Sequence, residues 1–202
     1  MKIKETFDQA FAIIYTILQS ESSTKESDAF ALALIKTERQ ARKIFTHLLF
    51  QYDFFQKGEH QKLRDELDRN GNIYFEHLLI GIEIILDKKL ETLLNNVIHK
   101  SFVDSYKSSK GLRNKLFHGQ ITTKGFNSSE IHNLTVKIMA WSNELSIRAE
   151  QLFNYNGFDR NSCEKDPTFN KDLLQFQVES IDTLRSLKTQ MIAKQRTDNF
   201  LK

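Results

Sequence analysis

The sequence predicts an all-α protein, an antiparallel helical bundle with a long C-terminal helix. Three observations carry that expectation. Proline occurs once and glycine seven times in 202 residues, against abundant Leu, Ile, Lys and Glu, a composition that favours helix over sheet. Apolar residues recur at helical spacing over long windows rather than alternating. Sixteen phenylalanines supply apolar volume for a core. The length suits one domain with a helical appendage, and we place a core domain at 1–155 and a loop and C-terminal helix at 156–202.

The elements follow in order. Residues 4–20 predict a first helix with Phe7, Ala10, Phe11, Ile14 and Leu18 along one face. Ser20 to Ser27 is polar and serine-rich, a loop. A long helix follows from Asp28 to Gln56, with Leu34, Ala41, Leu48 and Phe55 in one row and Ala31, Glu38, Phe45 and Tyr52 in a parallel one. At 1.5 Å per residue it spans about 45 Å. Glu38 is the polar member of an otherwise apolar row. It reads either as a stripe-edge carboxylate paired with Arg42 one turn on, or as a carboxylate that faces the functional site and orients its residues.

Gly58 to Gly71 is charged and predicts a short helix and a turn. A second long helix is expected from Ile73 to about Ile98, packing antiparallel to the first, with Leu78, Leu79, Ile82, Ile85, Leu86, Leu93 and Val97 inward. After a loop around Thr122–Gly125, Ser129 is placed to cap a helix running through Tyr155, with Ile131, Leu134, Ile138, Trp141, Leu145 and Leu152 as its stripe. Asn154 to Lys165 reads as a loop. Asp166-Pro167 carries a helix-start signal, and the last helix it opens would use Leu173, Phe176, Leu184, Leu187 and Met191 to close the core or to pack on a second subunit.

One stretch stands apart from this pattern: Gly111-Leu112-Arg113-Asn114-Lys115-Leu116-Phe117-His118-Gly119. Asn114 and His118 are four apart and share a helix face, so the amide can orient the imidazole. Arg113, one residue off that face, has the reach to join them. A guanidinium fork beside a proton carrier suits a phosphodiester. Charge gathers here as well. Between Lys100 and Ser129 six cations (Lys100, Lys107, Lys110, Arg113, Lys115, Lys124) meet one anion, Asp104, so this segment is +5 and the remainder of the +3 chain is −2. Such a concentration fits a polyanion, and it reads equally as a solvated helix face plus a loop. Lys107, Lys110, Lys115 and Lys124 are the candidate RNA-binding residues.

Arg113, Asn114, His118 and Gly119, in a small all-helical chain, resemble the Arg-polar-x-x-x-His motif of the HEPN superfamily. The resemblance implies a HEPN-like bundle and a metal-independent endoribonuclease, the toxin or effector of a bacterial toxin–antitoxin or anti-phage abortive-infection system. It implies Arg113, Asn114 and His118 as catalytic residues, a homodimer with a composite site, and an antitoxin or larger defence-system partner. Some HEPN toxins carry a Tyr shortly after the His, which a partner nucleotidyltransferase modifies; Gly119-Gln120-Ile121-Thr122 offers none. The alternative is a non-catalytic HEPN-like RNA-binding or protein-interaction module. A helical interaction protein whose motif is coincidental is a third reading.

Other chemistries lack sequence support. The six histidines show no metal-ligand spacing, and most of them read as surface or core-edge residues. There is no glycine-rich phosphate loop, no G-x-S-x-G elbow and no cysteine pair, so no cofactor is expected. A lone Cys163 fits a reducing compartment. With no apolar run near the roughly 18 residues of a membrane span and no signal-peptide pattern at the start, a cytoplasmic location is expected and no membrane partner.

Overall fold

The computed structural model describes residues 5–68, 73–117, 127–159 and 161–197. All regular structure among them is helical: α1 (Phe7–Leu18), α2 (Lys25–Gln51), α3 (His60–Asp68), α4 (Phe75–Leu86), α5 (Leu90–Leu93), α6 (Asn96–Phe117), α7 (Ser128–Phe153) and α8 (Ile181–Thr197), with a 3-10 turn at Lys171–Leu173.

Thr6 starts α1. Its hydroxyl accepts from the Gln9 amide, while the Gln9 side chain accepts from the Thr6 amide, a reciprocal cap that satisfies two otherwise orphaned donors. Phe7, Ala10, Phe11 and Ile14 are buried as expected, with Leu18 packed at the edge. In α2 the row Leu34, Ala41, Leu48 and Phe55 is buried throughout. The helix itself stops at Gln51, short of the expected Gln56, because Tyr52 turns to extended backbone (ψ 140°). Lys165 Nζ covers the Tyr52 carbonyl at 2.7 Å, and the Tyr52 hydroxyl donates to the Phe176 carbonyl. Phe55 stays in the core through a turn rather than a helix, stacking on Phe50 at 6.0 Å.

The helix expected over 73–98 is divided among three. Asp87 adopts a left-handed conformation (φ 48°) and ends α4. The buried Glu83 carboxylate then accepts from the Leu90 amide at 2.9 Å, turning the chain into the single-turn α5. Asn95 restarts helix by accepting from the Val97 and Ile98 amides at 3.1 and 3.2 Å, a local bond that competes with continuing the old helix. Val97, expected inward, is 79% exposed as a result.

α4 also runs in the same sense as α2, not antiparallel to it. Thr37 and Glu38 share a cavity wall with Phe75, Phe45 lies against Gly81, and Tyr52 bonds the Phe176 carbonyl while the Phe176 amide bonds Ile85. Helix α3 lies in the chain between these two parallel helices. α8 then runs against α4: His77 Nε2 meets Gln195 at 2.8 Å, and Met191 lies against Gly81.

α7 begins two residues earlier than predicted, capped by Asn127 rather than Ser129, in a reciprocal box with Glu130. It packs antiparallel on α6, where Trp141 stacks on Phe102 at 4.2 Å and donates to His99 Nδ1 at 3.1 Å. Burial lowers the His99 pKa, which keeps the ring neutral and able to accept. His47, His77 and His99 are all buried, unlike the surface or core-edge placing expected of most histidines. Asp166-Pro167 opens no helix. Its carboxylate accepts from the Thr168 amide at 2.9 Å, but the chain continues as a strap. Leu174 and Val178 are buried, Phe176 is half-buried and Gln175 and Gln177 are exposed, an alternation of period two rather than 3.6. Leu184, Leu187 and Met191 of α8 close the same core. No helix among the described residues is long and apolar enough to cross a membrane.

Candidate functional site

Helix α6 presents two faces near its C-terminal end. Phe102, Tyr106 and Ser109 are buried, and residues at spacings of three and four stand above one another on a helix, so Arg113 continues that inward row. Lys100, Lys107 and Asn114, seven apart, form a second row that is solvent-exposed.

Arg113 is held from two sides. Nη1 donates to the Tyr106 hydroxyl at 3.0 Å, and Nη2 lies 3.6 Å from Glu38 Oε2 on α2. The Arg113 side chain retains 26% exposure, and two of the five guanidinium N–H groups face these anchors, leaving the others for a ligand. Glu38 Oε1 is 3.5 Å from Arg42, whose guanidinium also donates to the Ile73 carbonyl at 3.1 Å. Glu38 thus pairs with Arg42 one turn on and also lies beside Arg113. Because Glu38 is one-third exposed, each pair contributes only about 0–1 kcal/mol.

Behind Arg113, Tyr106 is 2% exposed, with the buried Glu76 carboxylate of α4 close by. Burial, then the neighbouring Glu76 charge, pushes the phenol pKa well above its ordinary value. The hydroxyl stays neutral and accepts from Arg113. Sequence reasoning missed both residues. Tyr106 was detectable in principle, sitting two helical turns before Arg113 on the same face; Glu76 arrives only through tertiary packing.

The other predicted residues divide. Asn114 and Lys107 are exposed on the adjoining face. Lys115 is exposed too, but two residues past Arg113 is about 200° around the helix, so it points to the opposite side. Lys110 lies within α6. His118, Gly119 and Lys124 fall outside the described residues, as does the Thr122–Gly125 loop. Among the described residues no group of three or more His, Cys, Asp or Glu is arranged to hold a metal ion. No family model, curated protein or solved structure matches the chain.

Proposed function

We propose that this protein is a HEPN-type endoribonuclease that cleaves RNA without a metal ion, acting as the toxin or effector of a bacterial toxin–antitoxin or abortive-infection system. One observation carries the reading. Arg113 of the Arg-Asn-x-x-x-His motif is a partly exposed guanidinium, anchored by Glu38 and Tyr106 at the end of a helix whose next face carries Lys107 and Asn114. An oriented cation beside an exposed polar row is what a phosphodiester requires.

In this mechanism the 2′-hydroxyl attacks the adjacent phosphorus and the bond to the 5′-oxygen breaks. One imidazole takes the 2′-hydroxyl proton, and a second, already protonated, delivers a proton to the departing 5′-oxygen. The products are a 2′,3′-cyclic phosphate and a 5′-hydroxyl. His118 supplies each imidazole, so a twofold homodimer brings acid and base into one cleft. Arg113 stabilises the phosphorane charge, and Asn114 orients His118 or a phosphate oxygen.

The engagement of Arg113 by Glu38 and Tyr106 also favours a second reading, in which the guanidinium ties α6 to α2 and the chain is a non-catalytic HEPN-like binding module. Short RNA incubated with the purified protein in EDTA separates the two. Cleavage leaving cyclic-phosphate ends supports the nuclease, and binding without cleavage supports the module.

A further inference from the structure

We propose that Tyr106 is a positioning residue that fixes the Arg113 guanidinium for phosphate contact, a role that rests on the ribonuclease reading above. Packing alone does not call for the hydroxyl. The Tyr106 ring lies 5.3 Å from Phe75 and 5.7 Å from Phe102, a contact that a phenylalanine would make equally well. The hydroxyl instead accepts from Arg113 Nη1 at 3.0 Å, with the buried Glu76 carboxylate of α4 nearby.

Glu38 alone would leave Arg113 loosely placed. That contact is 3.6 Å long, its carboxylate is one-third exposed, and it is shared with Arg42. Tyr106 is buried and has only the short rotation of a ring on a helix, so it fixes the second guanidinium nitrogen far more stiffly. Two anchors on two nitrogens define the plane of the fork, and the plane decides whether both remaining edges meet phosphate oxygens.

The test is a double-mutant cycle on the full-length protein. Tyr106→Phe should lower kcat about ten- to hundredfold while changing RNA affinity by less than about twofold, because the cation stays but its geometry is lost. In an Arg113→Ala background the same substitution should leave the residual rate unchanged, since there is no guanidinium to place. If the losses multiply instead, Tyr106 acts through packing and the proposal is overturned. Should Tyr106→Phe fail to fold, Arg113→Lys, which keeps the charge but loses the planar fork that Tyr106 anchors, should show the same fall in kcat at nearly unchanged RNA affinity, and an undiminished kcat in that variant overturns the proposal. A fully active Tyr106→Phe beside an inactive Arg113→Ala overturns the positioning role and leaves the nuclease reading standing. Failure of the wild-type protein to cut RNA overturns both.

Discussion

The same substitution, glycine to alanine, should change stability in opposite directions in two helices of this protein. Gly81 sits where α2, α4 and α8 meet. A methyl there would lie 2.5 Å from an edge carbon of Phe45 and 3.1 Å from the Met191 methyl and sulfur. Met191 can shift, but the Phe45 ring is fully buried. Overpacking of this kind costs about 1–3 kcal/mol, against about 0.5–1 kcal/mol gained by removing glycine from a helix interior. The clash wins, and Gly81→Ala should lose about 1–2 kcal/mol, or about 2–8 °C in Tm for a chain of this size. Gly111 lies exposed in α6, and a methyl added to it would meet nothing within 4 Å. Gly111→Ala should therefore gain about 0.5–1 kcal/mol and raise Tm by about 1–4 °C. Thermal melts followed by circular dichroism, with urea titrations as a check, decide the matter. If Gly81→Ala stabilises as much as Gly111→Ala, the close approach of α4 to Phe45 is wrong, and the parallel course of α2 and α4 loses its main support.

Three further outcomes are expected. Glu38→Gln should slow cleavage while lowering stability by no more than about 1 kcal/mol, since its ion pairs are partly exposed; full activity in that variant would leave Glu38 as a helix-surface partner of Arg42. The folded pKa of His99 lies below the unfolded value of 6.5, chiefly through burial, so below about pH 6.5 the unfolded chain binds a proton that the folded chain refuses, and stability falls with pH by up to about 1.4 kcal/mol per unit until the folded pKa is passed. His99→Asn, whose amide oxygen can still accept from Trp141, should lack that component in urea titrations at pH 7 and pH 5; opposing groups such as Glu83, whose pKa burial raises, are common to both proteins and cancel. Arg113→Ala and His118→Ala should each reduce cleavage by about 10²–10⁴, but only Arg113→Ala should weaken RNA affinity, and that variant should also cost about 1–2 kcal/mol of stability through the lost Tyr106 bond.

Helical class and most of the core were legible because they depend on local periodicity: the Leu34–Phe55 row and the Ile131–Leu145 stripe are buried as their spacing requires. The path of the chain between helices was not. Asp87 and Asn95 interrupt an apolar pattern that continues through them, and only their backbone bonding reveals two ends and a fresh start. The strap over 174–178 was misread because Asp166-Pro167 gives a helix-start signal; the alternation of Leu174, Phe176 and Val178 was the truer indicator. In the site, Glu38 stood out as a charge in an apolar row. Its contact with Arg113 depends on how α6 crosses α2, and the placing of Glu76 near Tyr106 depends on how α4 packs.

The most direct test of the account uses a 5′-labelled RNA carrying a single 2′-deoxy nucleotide on the 5′ side of the mapped cut, incubated with the wild-type protein in EDTA. Attack by the 2′-hydroxyl, with Arg113 on the phosphate and His118 moving the proton, predicts that cutting disappears at that position and persists at unmodified sites. Undiminished cutting at the deoxy position would mean that another nucleophile does the work, and the role assigned to His118 would fail.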